Sequence, residues 1–379
     1  MKLKESIKYL PAAVFSLFIA VFAVLFFVLP KSDFSELEKR KLAEFPELSL
    51  TTLADGSFQK SLDTYLSDHM PARNFFVGLD AAYDLASGRN GENGIYLGSD
   101  NYLFPKPSEQ SELLDKNAGF IKEYADLSDC PVYATLIPSS GFVNADKLPL
   151  LHAQYRDDEL ISGFTKKLGD NVTFIDVVKT LQEKADSEHL YYRTDHHWTA
   201  LGAYECYRAL GDKMGYKPLE KDSFSVETHD GFYGTSYAKA ALWTLAPDSL
   251  ELWSDKSMTP GSVSVEIADG KDKKTSDSYF FPDQLQNDDK YPVYLDGNHA
   301  LETITNSQAT GGTLVVVKDS YAHTIVPFLS RHYKKIIMAD LRYYKNDISA
   351  ITEKENAEGV LILYSLDNMS TDNNLANLF

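Results

Sequence analysis

Thr313-Leu314-Val315-Val316-Val317-Lys318 is the stretch that most narrows what this chain can fold into. An apolar run this short and this rich in β-branched residues reads as a strand buried on both faces, the condition of a strand inside an α/β sheet. Residues 131–137, 172–178, 335–339 and 359–364 have the same texture. Helical periodicity falls between such runs, at residues 111–127, 159–168 and 324–333. Strand and helix alternating in this way predict an α/β fold with helices on both faces of the sheet. Residues 217–312 interrupt the rhythm and read as a long, partly β insertion. Within it, residues 291–305 have the pattern of a hairpin turning at Asp296-Gly297-Asn298-His299.

The buried strand runs straight into Asp319-Ser320-Tyr321 and then a helical segment. A serine at a strand-to-helix turn projects its hydroxyl at the C-terminal edge of the sheet, where α/β proteins place their ligands. Backbone N–H groups of the turn face the same space, which suits an activated nucleophile with a built-in oxyanion hole. Taken alone, Ser320 reads first as a helix N-cap.

A nucleophilic serine needs a base, and Asp195-His196-His197-Trp198 supplies one. The Asp-x-His spacing lets Asp195 orient His197, which takes the Ser320 proton; His196 is the alternative base. A metal site is the rival reading. Adjacent histidines diverge in any regular backbone, and the positions of His189, His229 and His323 demand no shared ion, so the reading carries neither metal nor cofactor.

Residues 9–30 contain no charge and span roughly 33 Å as a helix at about 1.5 Å per residue, enough to cross a bilayer core. Lys2, Lys4 and Lys8 precede them, which predicts a cytoplasmic tail (1–8), a transmembrane signal anchor (9–30) and everything beyond outside the cytoplasm. Val28-Leu29-Pro30-Lys31 lacks a small-residue cleavage site, so a cleaved signal peptide is the alternative. Residues 31–90 read as a stalk and helical lead-in, and 91–379 as the catalytic domain. The net charge of −18 argues against nucleic acid as a partner. Cys130 and Cys206 would either pair in an exported protein or sit as separate buried side chains.

The Asp195-His196-His197-Trp198 block, with Lys318-Asp319-Ser320-Tyr321, resembles the DHHW family of SGNH-hydrolase-like proteins, related to those of alginate and other exopolysaccharide O-acetylation. Phe232-Tyr233-Gly234-Thr235, Gly297-Asn298-His299 and Asp340-Leu341-Arg342-Tyr343-Tyr344 match as well. The resemblance implies an SGNH-type α/β/α sandwich in permuted motif order, with Ser320, His197 and Asp195 as the triad. It further implies a cell-surface or secreted polysaccharide as substrate and a multi-span membrane-bound O-acyltransferase as partner. The candidate oxyanion donors are the backbone N–H groups of Ser320 or Tyr321 together with the Asn298 side chain, although Gly297-Asn298 reads first as the residues of the hairpin turn. Arg342 is a candidate for binding an anionic donor or sugar acid, or else a partner for Asp340. Many relatives carry glycine where Lys318 stands, and a long side chain there would narrow the cleft or reach the acyl donor. The expected activity is O-acetyl transfer through an acyl-serine. The alternatives are an acetyl esterase and a non-catalytic glycan-binding scaffold.

Overall fold

The computed structural model describes residues 2–91, 93–109, 111–287 and 289–379, with side chains from Tyr9 onward. Lys2, Lys4 and Lys8, on which the expected membrane orientation rests, lie outside the described side chains. The chain divides into two units, Met1–Arg89 with Ala241–Trp243, and Asn90–Ala240 with Thr244–Phe379.

In the first unit the apolar run forms helix α1 (Lys2–Val28), within which Tyr9–Val28 is long and apolar enough to cross a membrane and contains no fully buried residue. Helices α2 (Ser57–Asp68) and α3 (Arg73–Ala86) follow where the periodic apolar residues predict them. Arg40 grips Asp68 through Nη1 and Nη2 at 2.9 and 2.5 Å, and Glu38 joins Arg40 to Arg73 at 2.8 and 2.5 Å. The Arg40 hydrogen bonds, against the effect of burial, hold the Asp68 carboxyl down at about 2.

An eight-stranded sheet organises the second unit. Its strands are β1 (Val132–Ile137), β2 (Val172–Phe174), β3 (Val263–Asp269), β4 (Asp272–Ser276), β5 (Leu301–Asn306), β6 (Gly311–Lys318), β7 (Tyr333–Ala339) and β8 (Ala357–Ser365). They lie side by side as β4-β3-β5-β7-β6-β8-β1-β2. The run from β7 to β2 is parallel, and β5, β3 and β4 extend it antiparallel. Three of the eight strands thus come from the 217–312 segment.

Strand β6 has a parallel neighbour on each side. Leu314 and Val316 enter one core, with helices α5 (Ala200–Met214) and α7 (Ala322–Leu329); Val315 and Val317 enter the other, with α4 (Glu112–Leu127). Both faces are covered, which is why the run is unbroken rather than alternating. Burying each such side chain stabilises the fold by about 1.5–3 kcal/mol.

The hairpin expected at residues 291–305 does not form. Leu295, Asp296 and Gly297 all adopt left-handed φ (57°, 64° and 98°), which turns the chain sharply before β5. The partners of β5 are then β3 and β7, while Tyr291–Val293 is a single turn of 3₁₀ helix. Both cysteines are free; Cys206 is fully buried in α5, and burial pushes its thiol up.

Candidate active site

The end of β6 delivers Ser320 to the C-terminal edge of the parallel strands, and α7 begins two residues later. Asp319, between them, fixes the turn. Its Oδ1 accepts from the Tyr321 N–H at 2.9 Å, and its Oδ2 accepts from the Ser365 N–H, the Ser365 hydroxyl and Asn368 Nδ2, each at 2.8 Å. The Ser320 turn is therefore held to the end of β8 by a buried carboxylate.

The Asp195-to-Trp198 segment sits in a loop just before α5, whose N-cap is Thr199, accepting from the Gly202 N–H at 3.2 Å. His197 Nε2 lies 2.7 Å from Ser320 Oγ, and His197 Nδ1 lies 2.5 Å from Asp195 Oδ1. Asp195 Oδ1 also accepts from the His197 N–H at 2.9 Å, while Oδ2 accepts from the Thr235 N–H at 2.6 Å and the Thr235 hydroxyl at 3.3 Å. Burial alone would raise this carboxyl; the two imidazoles and the donors around it outweigh burial and hold it well below the usual carboxylate range. An ionised carboxylate on Nδ1 fixes the tautomer in which Nε2 is free to take a proton.

The imidazole is positioned by stacking as well as by hydrogen bonds. The Tyr291 ring lies parallel to His197 at 3.8 Å between centroids, and its hydroxyl donates to the Ser320 carbonyl at 3.3 Å. His196 does not diverge from His197 as expected of adjacent histidines: the two ring centroids lie 3.8 Å apart, its Nδ1 bonds Thr235 Oγ1 at 2.6 Å and lies 3.3 Å from Asp195 Oδ1, and its carbonyl accepts from the Tyr321 hydroxyl. Trp198 is fully buried and its Nε1 donates to Thr324 Oγ1 at 2.6 Å and to the Tyr321 carbonyl at 3.1 Å, so it clamps the start of α7.

Helix α6 (Thr235–Ala240) brings Thr235 to Asp195, and the residue before it must be glycine. A Cβ on Gly234 would fall 2.1–2.5 Å from Asp195 Cβ, Oδ2 and Cα. A second buried carboxylate, Asp248, holds the loop from below by accepting from the Thr194 N–H and hydroxyl, both at 2.7 Å.

The structure brings Ser320, His197 and Asp195 together and places the other candidates differently. The Tyr321 N–H is committed to Asp319, whereas the Ser320 N–H donates to no group among the described residues. Arg342 makes a two-armed pair with Asp340, Nε at 2.9 Å and Nη2 at 2.6 Å, and its Nη2 also reaches Asn298 Oδ1 at 3.2 Å. Lys318 neither narrows a cleft nor reaches toward a ligand. It is fully buried, with Nζ 2.5 Å from His323 Nε2 and 3.2 Å from Glu302 Oε2, because its position on β6 points it to the same inner face as Val316. Asp195, His196 and His197 offer ligand atoms within 4.8 Å of one another. Both Asp195 oxygens and both Nδ1 atoms are nevertheless engaged in the hydrogen bonds above, and an ion would have to displace them.

Thr235, Gly234, Tyr291 and Asp248 are not singled out as site residues by the sequence. The Phe232-Tyr233-Gly234-Thr235 block is the one signal that points toward two of them.

The model of the DHHW protein family matches residues 131–339, which is more than half of the chain and spans both halves of this site. The chain belongs to the DHHW family. A DHHW-family protein from Eubacterium siraeum superposes with a TM-score of 0.62 at 22% identity, over 76% of this chain and 95% of that one. Bacillus cereus PatB1, solved with a sulfonyl adduct, superposes at 0.64 with 22% identity, over 75% and 98%. These likenesses establish the DHHW-type α/β fold. Among curated proteins, the probable alginate O-acetylase AlgJ of Pseudomonas putida is 24% identical over 187 residues, 47% of this chain. The chain spans about half the length of that relative, 49%.

Proposed function

We propose that this DHHW protein is an O-acetyltransferase acting on a polysaccharide through an acyl-Ser320 intermediate, as a membrane-anchored enzyme with its catalytic unit outside the cytoplasm. The observation that carries the reading is the continuous relay from Asp195 through His197 to the Ser320 hydroxyl. The relatedness to a probable alginate O-acetylase supports the substrate class, and the bilayer-length α1 supports the anchor.

His197 Nε2 takes the Ser320 proton as Oγ attacks the acetyl carbonyl. The negative charge that develops on the carbonyl oxygen is met by the uncommitted Ser320 N–H. His197 then gives its proton to the departing donor oxygen, leaving acetyl-Ser320. An acceptor sugar hydroxyl enters, His197 takes its proton, and the new ester forms as Ser320 Oγ leaves and recovers a proton from His197. The order of motifs, base before nucleophile, is the permuted arrangement of an SGNH-type enzyme. A multi-span acyltransferase is the partner that would bring acetyl across the membrane.

Full-length protein in nanodiscs, given p-nitrophenyl acetate, is expected to release nitrophenol and to show a mass increase of one acetyl group on Ser320. Ser320→Ala should abolish both. Adding an acceptor oligosaccharide should divert acetyl from water to sugar. Absence of both nitrophenol release and an acetyl adduct in the wild type would overturn the enzymatic reading; release without any acetylated sugar would leave an esterase.

A further inference from the structure

The first unit has almost no core of its own. Apart from Ala81 and Pro71, the described residues of α2, α3 and the segments around them bury little apolar surface, and the unit's close contacts include the Arg40–Asp68, Glu38–Arg73 and Asp84–Arg89 ion pairs. Its large side chains point outward: Phe45 is 65% exposed, Leu50 88%, Phe75 64%, Leu79 54% and Tyr83 64%. Apolar side chains exposed together in this way mark a surface that meets something other than water.

The exposed residues are ordered on the helix. By helical spacing, Phe75, Leu79, Ala82, Tyr83 and Ala86 share one face of α3, and that face carries no charge; Arg73, Asp80 and Asp84 lie on another. At its edge the apolar face meets α1, where the Phe76 and Phe22 rings stand 5.8 Å apart. Tyr65 of α2 meets Phe26 in the same way, edge to face at 6.2 Å. Lys31 caps this side of the unit, its Nζ over the Phe26 ring at 3.5 Å. Phe22 lies six residues inside the C-terminal end of α1, about 9 Å along the helix at ~1.5 Å per residue. Helices that lie in a membrane interface seat their apolar face at a comparable depth, about 5–10 Å into the boundary between headgroups and acyl chains. Aromatic residues are enriched at that level.

We propose that the Phe75–Leu79–Tyr83 face of α3 is a membrane-seated collar, immersed in phospholipid beside α1 at the outer surface of the bilayer. The proposal rests on α1 being an uncleaved anchor. Phospholipid is the occupant because the face is continuous with α1, whose own side chains are equally open, and because it carries no charge and, apart from the Tyr83 hydroxyl, which suits the headgroup level, no polar side chain. The acidic residues of α3 stay on its watery side, so apolar insertion rather than headgroup charge drives the seating.

The test places p-benzoyl-phenylalanine at Leu79, and separately at Asp80, in the full chain in its native membrane, followed by irradiation and mass analysis. A mass gain of one phospholipid at position 79, with none at position 80, is the expected result. A protein adduct at 79 would overturn the proposal in favour of a partner surface, as would the absence of any adduct there. Alkaline carbonate extraction of the same membranes separates the two ideas. Release of the chain removes the anchor reading and the collar with it, whereas retention without a lipid adduct removes the collar alone.

Discussion

His197 Nε2 and Ser320 Oγ lie 2.7 Å apart although 123 positions separate them in the chain. Neither residue makes that contact through its own element alone. Asp195 and Tyr291 orient the imidazole, and Asp319 orients the turn that carries the hydroxyl. Replacing Asp195 with Asn keeps the volume and removes the charge that selects the tautomer. The expected outcome is a fall in kcat on the order of 10⁴, as for the corresponding change in a serine-protease triad, with KM for p-nitrophenyl acetate little changed.

Gly234→Ala tests the support behind Asp195. The new Cβ would meet Asp195 atoms at 2.1–2.5 Å, so the carboxylate has to move or α6 has to withdraw Thr235. Expected are a loss of esterase activity and a lower melting temperature, with overpacking of this kind costing about 1–3 kcal/mol. Full activity and unchanged melting would show that the Asp195 contact is dispensable.

The residues that meet at the candidate site, Ser320 and the Asp195–His197 pair, were legible in the sequence because each is a local signal. An unbroken apolar strand ending in a serine and an Asp-x-His triplet do not depend on distant partners. The sheet order was not legible, nor were Thr235 and Tyr291, because their roles exist only across the fold: Thr235 meets Asp195 40 positions away in the chain. The expected hairpin at 291–305 failed for a related reason. Gly297 signals a turn, but nothing in Leu295 announces that it too takes a left-handed φ. Lys318 misled because a lysine beside a nucleophile suggests solvent and ligand, whereas strand alternation had already assigned it to the interior.

A chelator should leave the activity unchanged. The Asp195, His196 and His197 atoms nearest one another are the ones already holding Thr235 and the triad. Activity assayed with and without EDTA checks this, and a loss restored by a divalent cation would put an ion at the site.

His332 makes the stability of the catalytic unit sensitive to acid. Burial, assisted by Arg331, lowers this imidazole from 6.5 to about 4, and its Nε2 bonds the Tyr207 hydroxyl at 2.7 Å. A folded value below the unfolded one means the unfolded chain takes up the proton first. Its contribution is thus complete above pH 6.5 and is lost as pH falls toward 4. With the ring partly solvated, the effect is on the order of 1–2 kcal/mol. Urea unfolding of wild type and His332→Gln at pH 7 and pH 4.5 should show the smaller acid loss in the variant.

Lys318, Glu302, His323 and Asp340 are all buried at 1% exposure or less, directly beneath the Ser320 turn. Lys318 Nζ lies 3.2 Å from Glu302 Oε2, 4.0 Å from Asp340 Oδ2 and 2.5 Å from His323 Nε2. Burial raises the Glu302 carboxyl and, with Lys318 beside it, holds His323 well below its ordinary value, so His323 is neutral and accepts from the ammonium. Taking such charges out of water costs as much as their attraction returns, but removing one alone leaves the other stranded. Lys318→Met is therefore expected to destabilise the fold by about 3–5 kcal/mol, measured by urea unfolding. Adding Glu302→Gln to it should recover a large part of that loss, because the stranded carboxylate is gone. If the double variant regains stability but not kcat, the buried charge supports the chemistry at Ser320; if it regains both, the cluster serves only to hold β5, β6 and α7 together.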